Sequence, residues 1–394
     1  MSRQRLYLHV GLPKSGTTFL QWLLAYNRDP LKEHGFVFPY VRDETMFYAA
    51  VELRGDERGW GLDPESVRGT WDSVLDRVRE FGGTGIVSHE LLAGARPAAV
   101  EQVARDTADF EVHVVVTARD VARHVNAQWQ EEVKNGRAVT YEGFRARLME
   151  RWALDPEERS KVGFWRAQDL AGVLDRWGSL TTDPSHVHVV PVPHSGKDRF
   201  ELWRRFAGAM GLDPECLEVT EGYKSNESLG TPQVALLRQV LDSLDGRLVQ
   251  PHYSHVVKRF FAQRQLGQLP GPRAVTPPDF RVELEEIARG WVAEVQERGY
   301  DVHGPVEELL PVPGPEGSRH PDDVTAEELV EGLPDVLAAM LVEIATLRGQ
   351  ITGPRALPPL PGTEVADPDP PPSSMLHKAR RLASRAASRA RPRD

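Results

Sequence analysis

One short segment near the start of the chain constrains it more than any other feature. Residues 11–18 read Gly-Leu-Pro-Lys-Ser-Gly-Thr-Thr and lie between two apolar runs, 6–10 and 17–26. The first run predicts a short buried strand and the second a helix, so the segment is a strand-to-helix loop. Its glycines let backbone N–H groups approach an anion closely, and the helix adds a positive dipole. Because residues 13–18 also hold one lysine and three hydroxyl side chains, the loop predicts a phosphate-binding site.

The position of the lysine distinguishes this loop from ATP- and GTP-binding loops. Those loops follow the pattern GxxxxGK[ST], in which the lysine comes directly after the second glycine. Here Thr17 occupies that place, and Lys14 lies two residues before Gly16. A lysine inside the loop can neutralise the bridging oxygen of a 5′-phosphosulfate instead of reaching a γ-phosphate.

Further strand candidates recur along the chain, with helical stretches between them. The clearest is 111–117, a β-branched run of the kind found in strands that are covered on both faces. The others are 85–88 and 187–192. Strands that alternate with helices predict an α/β fold, a P-loop-type parallel sheet flanked by helices, with a helical C-terminal part. The predicted helices cover 64–81, 97–106, 121–135, 200–210, 231–244 and 281–298.

Changes in composition divide the chain into four parts. Residues 1–310 form the predicted α/β domain, and the Pro- and Gly-rich segment 311–324 is interpreted as a linker. Thr325, followed by Ala-Glu-Glu, begins a helix predicted over 325–350. Residues 351–394 are predicted to be a disordered Pro-rich segment followed by a basic tail.

The charge distribution indicates which classes of binding partner the chain can have. The 394-residue chain has a formal net charge of −10, whereas nucleic-acid binding needs a basic surface. Residues 373–394 are the exception, with seven Lys or Arg and one Asp. The basic residues of 376–391 recur at helical spacing. This tail fits either peripheral contact with an anionic membrane surface or a solvated spacer.

The remaining composition favours a cytoplasmic protein. The chain has a single cysteine, Cys216, no signal-peptide core, and no apolar stretch near the roughly 20 residues of a membrane span. No Cys/His cluster has zinc spacing. His186 and His188 share one face of a predicted strand, and we expect them to be structural.

The six residues Pro13, Lys14, Ser15, Gly16, Thr17 and Thr18 resemble the 5′-phosphosulfate loop of sulfotransferases that use 3′-phosphoadenosine 5′-phosphosulfate (PAPS). Weaker similarity to bacterial sulfotransferase-type proteins occurs at 190–193, 202–206 and 226–229, so the resemblance spans about residues 5–310. It implies that these six loop residues bind PAPS as donor substrate. It also implies transfer of the sulfuryl group to a hydroxyl or amine of a carbohydrate, glycolipid or small-metabolite acceptor.

The resemblance also implies a second phosphate site. Members of this family hold the 3′-phosphate with an arginine after a central strand and a serine eight residues further on. Arg119 follows the strand 111–117 and matches the arginine, but Ala127 occupies the serine position. Arg123 and Asn126 share a helical face with Arg119, so they are the candidates to compensate. Arg119, Arg123 and Asn126 therefore complete the predicted donor-binding set.

Sulfuryl transfer needs a cation at the leaving phosphate and a base for the acceptor proton. Lys14 fits the first role. Many sulfotransferases use a histidine after a middle strand as the base and others use a glutamate, and His89 and Glu90 both follow the strand 85–88. His89 has a suitable ordinary pKa, whereas Glu90 would need an apolar or anionic setting to raise its pKa. Glu44 is a third candidate, because some members place a glutamate soon after the first helix.

Two other functions stay open at the level of sequence. A P-loop nucleotide-dependent kinase would need a Mg²⁺-binding aspartate after a strand; Asp120 is available, but the kinase-type lysine is absent. A catalytically inactive, sulfotransferase-like binding protein is favoured by Ala127. The sulfotransferase interpretation expects a small-molecule or glycan acceptor, no nucleic acid and no metal.

Overall fold

A six-stranded sheet forms the centre of the computed structural model, with the strand order β2-β3-β1-β4-β5-β6. Every neighbouring pair is parallel. This confirms the predicted α/β class with a parallel sheet. The strands are β1 (Gln4–Gly11), β2 (Phe36–Val37), β3 (Thr84–Ser88), β4 (Phe110–Ala118), β5 (Val187–Pro191) and β6 (Asp301–Val302).

The structure describes residues 3–161, 163–194, 198, 200–218 and 228–352. The basic tail 376–391 and most of the predicted disordered segment lie outside the described residues, as do Asn226 and Glu227 of the weak match at 226–229. The chain divides into two units, Met1–Val336 and Leu337–Asp394, and the site and the sheet belong to the first. Within the described residues, no helix combines the length and the apolar character needed to cross a membrane.

Helices connect the strands and cover the sheet. The α-helices before β5 are α1 (Thr17–Tyr26), α2 (Arg28–Glu33), α3 (Thr45–Arg54), α4 (Pro64–Val67), α5 (Thr70–Phe81), α6 (Pro97–Asp106), α7 (Val121–Lys134), α8 (Tyr141–Trp152), α9 (Pro156–Lys161), α10 (Gly163–Gln168) and α11 (Leu170–Gly178). Those after β5 are α12 (Glu201–Ala209), α13 (Thr231–Leu244), α14 (Pro278–Glu297), α15 (Ala326–Val330) and α16 (Leu333–Thr352). A π-helix covers Tyr253–Gln265, and short 3₁₀ turns cover Glu57–Trp60, Glu90–Gly94, Pro184–His186, Pro214–Cys216, Leu266–Gln268 and Val306–Leu309.

The structure differs from the sequence prediction where glycine interrupts a helical pattern. The predicted helix 64–81 is two helices, α4 and α5, because Gly69 between them has a φ of 74°. The predicted helix 325–350 is likewise α15 and α16, separated at Gly332, whose φ is also 74°. Asp322, in the predicted linker, accepts hydrogen bonds from the backbone of Tyr141 at 2.8 Å and contacts Arg238 at 3.4 Å. The compact unit runs on to Val336, and a domain boundary at 310 stays a prediction.

The direction in which strands are added to the sheet reverses at β1, in the centre of the sheet. From β1 the chain first adds β2 and β3 on one side and then crosses to add β4, β5 and β6 on the other. Open parallel sheets bind ligands at the carboxyl ends of the strands where this direction changes. The loop after β1, the 3₁₀ turn after β3 and Arg119 after β4 all lie at that edge.

Candidate functional site

The loop between β1 and α1 adopts a conformation that needs its glycines. Gly11 has a φ of 126° and Gly16 a φ of 86°, in the region that side chains rarely adopt. A Cβ atom on Gly16 would also lie 2.4 Å from Cδ2 of Leu202. Leu12 N donates to the carbonyl of Thr117 at 2.6 Å, which attaches the loop to the end of β4.

The amino end of α1 is left without a cap. Gly16 occupies the N-cap position and has no side chain to accept a hydrogen bond there. The backbone N–H groups of Gly16, Thr17 and Thr18 donate to no backbone carbonyl among the described residues. Uncapped donors at a helix amino terminus, together with the dipole, form a binding site for an anion.

A buried polar cluster supports the loop from below. Ser15 Oγ donates to the carbonyl of Leu12 at 2.5 Å and contacts Thr117 Oγ1 at 2.5 Å. The His9 ring connects Thr117, at 3.1 Å, with Ser88 Oγ, at 2.7 Å. Burial lowers the pKa of His9 to about 3, so its ring is neutral. The Ser15 hydroxyl is therefore occupied in holding the loop in shape.

Two further side chains hold the carbonyl of Pro13. His124, the fourth residue of α7, donates to this carbonyl through Nε2, and Gln168 donates to it through Nε2 at 3.0 Å. Burial, and next the charge of Arg119, lower the pKa of His124 to about 3. A neutral ring that donates through Nε2 has its lone pair on Nδ1, and this buried atom has no partner among the described residues.

The lysine of the loop contacts α7. Lys14 Nζ lies 3.1 Å from Oε2 of Glu131, and Lys134 and Lys258 lie 3.0 and 2.8 Å from the same carboxylate. Burial alone would raise the pKa of Glu131, but Lys134 and then Lys14 and Lys258 lower it well below its usual range. One carboxylate therefore balances three ammonium groups, so this side of the loop has an excess of positive charge.

Arg119 brings a further positive charge to the loop, and Arg123 lies one turn further along the chain. Arg119 Nη1 donates to the carbonyl of Lys14 at 3.3 Å, while its Nε is buried and unpartnered among the described residues. Burial, and next the repulsion of Arg123, lower the pKa of Arg119 to about 10, so it stays charged at neutral pH. Arg123 contacts Asp120 and the carbonyl of Pro193, the latter at 3.3 Å.

Asn126 has other partners. Its Nδ2 donates to the carbonyl of Ala274 at 3.1 Å, and its Oδ1 accepts from Tyr141 at 2.6 Å and from Thr276 at 3.2 Å. Ala127 is half-buried. The structure thus brings Arg119 into contact with the phosphate loop. Arg123 instead pairs with Asp120 and the carbonyl of Pro193, and the Asn126 amide holds the late segment around 274–276 against α7.

His89 and Glu90 lie at the end of β3. His89 Nδ1 accepts from the backbone N–H of Leu91 at 3.2 Å, so the neutral ring has its proton on Nε2. Burial lowers the pKa of His89. Glu90 Oε2 accepts from Gln21 Nε2 at 2.8 Å, and the Thr17 hydroxyl also donates to the carboxylate. Glu90 thus reaches the first turn of α1.

From the sequence, a Glu90 base is expected to need an apolar or anionic setting that raises its pKa. The structure gives Glu90 a setting that lowers its pKa. Burial taken alone raises that pKa, but His89 and the hydrogen bonds from Gln21 and Thr17 outweigh it and lower it. Glu90 is therefore ionised at neutral pH. Its carboxylate can accept a proton. In neutral His89 the lone pair of Nδ1 accepts the hydrogen bond from Leu91, and Nε2 carries the ring proton, so neither nitrogen is free to act as a base.

An aromatic surface continues from His89. The Phe47 ring lies 5.8 Å from the His89 ring and 5.2 Å from the ring of Trp60, which is 52% exposed. Glu44, the third candidate for the base, is the exposed N-cap residue of α3, the helix that contains Phe47. A phenyl ring therefore lies beside His89, the residue before Glu90, and an exposed indole lies beside that phenyl ring.

Asp120, the residue that a kinase would need for Mg²⁺, is occupied. Its buried carboxylate caps α7 by accepting from the backbone N–H of Arg123 at 2.9 Å, and it pairs with the Arg123 side chain. A carboxylate held in this way by a guanidinium and a helix end is a poor metal ligand.

Sequence reasoning missed His9, His124, Gln168 and Glu131. His9 interrupts an apolar strand directly before the loop, and this buried polar residue was a readable signal. His124 and Glu131 lie on the helix after Arg119, but nothing in their spacing shows that they contact the loop. Gln168 reaches Pro13 across 155 residues of chain, which only the tertiary fold determines.

Comparison with known proteins adds little. No family model and no curated protein matches this chain. Among solved structures, the crystal structure of a sulfotransferase from Alicyclobacillus acidocaldarius matches 76% of this chain and 98% of its own. The sequences are 14% identical and the TM-score is 0.41, values that assign neither fold nor activity to this chain.

Proposed function

We propose that this chain binds PAPS in the loop of residues 13–18 and transfers its sulfuryl group to an acceptor hydroxyl or amine. The proposal rests on one observation: two features that can bind an anion, the amino end of α1 and the Arg119 side chain, lie at the same loop. The uncapped amino end of α1 offers free backbone donors. Arg119, bonded to the carbonyl of Lys14 at 3.3 Å, brings a charged guanidinium with an unpartnered Nε to the same loop.

The donor has two anionic ends, and the chain offers cations for both. The backbone donors of residues 16–18 and the Lys14 ammonium would hold the 5′-phosphosulfate. Arg119 and Arg123, at the neighbouring end of β4, would hold the 3′-phosphate, because a guanidinium can donate two hydrogen bonds to one phosphate. Ala127 occupies the position at which the family pattern has a serine, so this chain would hold the 3′-phosphate without that hydroxyl.

The transfer step needs in-line attack on sulfur. The acceptor oxygen or nitrogen forms the new bond to sulfur while the bond from sulfur to the bridging oxygen breaks, and the nucleotide leaves as adenosine 3′,5′-bisphosphate. Lys14 would stabilise the charge that develops on the leaving phosphate. Glu90 would take the acceptor proton, since its carboxylate is ionised and held at the first turn of α1 by Thr17.

The acceptor would approach over the surface formed by Phe47 and Trp60. An exposed indole next to a phenyl ring binds sugar rings and other flat or apolar groups by stacking. This favours a carbohydrate, a glycolipid or a small aromatic metabolite as the acceptor class.

Transfer of a labelled sulfuryl group tests the proposal. The full chain is incubated with PAPS labelled in the sulfuryl group and with panels of sugars, glycolipids and phenols. We expect a labelled product and one adenosine 3′,5′-bisphosphate released per product. Binding of the nucleotide without any turnover would instead support the inactive binding protein, and phosphoryl transfer from ATP with Mg²⁺ would support the kinase.

A further inference from the structure

A second cluster of titratable side chains lies at the opposite edge of the sheet from the loop. Glu111, His188 and Asp301 are at the amino ends of β4, β5 and β6, whereas the loop follows the carboxyl end of β1. His113 Nδ1 lies 2.9 Å from His188 Nε2, and His188 Nδ1 lies 2.8 Å from Asp301 Oδ2. Asp301 Oδ2 also contacts His303 Nε2 at 2.7 Å, and His113 Nε2 contacts Glu111 Oε1 at 3.2 Å.

The register of two strands builds the inner part of this cluster. His188 on β5 is paired directly with Asp301 on β6. His303 is two residues after Asp301, so its side chain lies on the same face of the sheet. One ligand atom from each of the three residues lies within 4.8 Å of the other two. A cross-strand pair and an i,i+2 neighbour thus bring two imidazoles and one carboxylate to a single point.

Proton counting shows that the cluster lacks a positive charge. Three contacts connect Glu111, His113, His188 and Asp301 in series, and each contact needs one proton. Ionised carboxylates supply none, and two neutral imidazoles supply one each. Whichever tautomers the rings adopt, one contact brings two acceptors together. A cation at one end removes this conflict.

The end of this series at Asp301 is the place where such a cation can bind. The carboxylate of Asp301 has no Lys or Arg partner among the described residues; its ion-pair contacts there are with His188 and His303. A metal ion that replaces the proton on His188 Nδ1 would meet three ligands that no other cation occupies.

We propose that His188 Nδ1, Asp301 Oδ2 and His303 Nε2 bind a divalent transition-metal ion of the Zn²⁺ type. Two imidazoles and one carboxylate are a donor set that Zn²⁺ accepts, with one position left for water. Ligand atoms around tetrahedral Zn²⁺ are about 3.3 Å apart, so the present contacts must open by about half an ångström. Asp301 and His303 are partly exposed, which gives the ion access from solvent.

With a metal ion bound at His188 Nδ1, each remaining contact between Glu111, His113 and His188 has one proton. With the metal on Nδ1, His188 donates its Nε2 proton to His113 Nδ1, and His113 donates its Nε2 proton to Glu111. A metal-bound histidine that donates its other N–H toward a carboxylate is the usual arrangement around zinc. The ion would join β5 to β6 at the edge of the sheet, away from the phosphate loop. The inference is therefore independent of the proposed transfer reaction.

The outer triad is the weaker candidate. Glu111, His113 and His186 also lie within 4.8 Å of one another through their ligand atoms. Arg5 Nε, however, lies 2.8 Å from Glu111 Oε1, so a guanidinium already neutralises the carboxylate. The rings of His113 and His186 are also partly stacked, with centroids 4.1 Å apart and planes at 32°, so they do not converge on one point from different directions.

Titration of the full chain with Co²⁺, a spectroscopic substitute for Zn²⁺, tests the proposal. The protein carries no affinity tag, is first freed of metal, and is examined by visible absorption and then by Zn²⁺ competition. We expect one equivalent of Co²⁺ with the intense bands of a tetrahedral site, all displaced by Zn²⁺. Asp301→Asn and His303→Gln should lose this binding, while His186→Gln should keep it.

A wild-type chain that binds neither ion at micromolar concentrations would overturn the proposal. So would a site that is lost with His186→Gln but kept with His303→Gln. Since Asp301→Asn could disturb the edge strand, circular dichroism checks both variants, and His303→Gln, at a partly exposed residue, decides the result. Binding of adenosine 3′,5′-bisphosphate should be unchanged in His303→Gln, which separates this site from the proposed donor site.

Discussion

Lys14 Nζ lies 3.1 Å from Oε2 of Glu131, so the lysine of the phosphate loop is held by a carboxylate on the neighbouring helix. The same carboxylate binds Lys134 and Lys258. A donor that enters the loop must therefore compete with Glu131 for Lys14.

Glu131→Gln is expected to tighten binding of adenosine 3′,5′-bisphosphate. The substitution removes the competing charge and leaves three lysines beside the loop. A partly exposed pair contributes at most about 1 kcal/mol, so the gain in affinity is up to about fivefold. Calorimetry measures it. Glu132→Gln is the matched control, because Glu132 pairs with Arg137 and Arg147 instead. Weaker binding in Glu131→Gln would show that Glu131 supports the loop rather than competing with the nucleotide.

Lys14→Ala is expected to weaken nucleotide binding and abolish transfer. A charge-assisted hydrogen bond contributes about 1.5–3 kcal/mol, which corresponds to a loss in affinity of about 10- to 150-fold. Lys258→Ala removes a different partner of Glu131 and serves as the control, since it leaves the loop lysine in place. Near wild-type turnover in Lys14→Ala would rule out a role of this lysine at the leaving phosphate.

Arg119→Ala is expected to reduce affinity for adenosine 3′,5′-bisphosphate more than affinity for adenosine 5′-phosphate. The buried Nε of Arg119 has no hydrogen-bond partner among the described residues, and a bound 3′-phosphate would supply one. Its Nη1 also holds the loop through the carbonyl of Lys14, so a smaller loss is expected for both nucleotides. Titrations with the two ligands give the difference, and equal losses would assign Arg119 to loop support alone.

Glu90→Gln is expected to lower the rate of transfer by about 10²- to 10⁴-fold without weakening nucleotide binding, because it removes the base. His89→Asn keeps an acceptor for the backbone N–H of Leu91 and should retain most of the activity. If His89→Asn is the inactive variant and Glu90→Gln is active, the assignment of the base is reversed.

The same assignment fixes the acid side of the pH profile. Glu90 acts as a base only when it is ionised, and its environment lowers its pKa from 4.5. The rate should therefore fall on the acid side with an apparent pKa below 4.5, because Glu90 loses its function as it becomes protonated. A fall in rate with an apparent pKa near 6.5 would indicate an imidazole instead.

The sequence predicted the sheet where strands are long and apolar and missed it where they are short. Every residue of β4 except Glu111 is buried, which explains why its β-branched run was recognisable. β2 and β6 have two residues each, too few for any periodic pattern. β6 matters nevertheless, because it supplies Asp301, and its pairing with His188 gives the histidines a setting that sequence spacing did not predict.

The candidate site also has a part that could be predicted from the sequence and a part that could not. The loop is contiguous, so its residues and the approach of Arg119 at the end of β4 followed from the order of elements. The ion pair of Lys14 with Glu131 joins residues 117 positions apart, and the contact of Glu90 with Gln21 joins residues 69 apart. Burial raises the pKa of Glu90, whereas its sequence neighbour His89 and the hydrogen bonds from Gln21 and Thr17 lower it. Only His89 is adjacent in the sequence, so the balance of these effects depends on the tertiary fold.

Calorimetric titration of the full chain with adenosine 3′,5′-bisphosphate and, separately, with ATP and Mg²⁺ tests the central claim most directly. The loop has its lysine before the second glycine, and Asp120 is held by Arg123. The bisphosphate should therefore bind at one site without added metal and far more tightly than ATP with Mg²⁺. Tighter binding of ATP that depends on Mg²⁺, or no binding of the bisphosphate at all, would contradict the account.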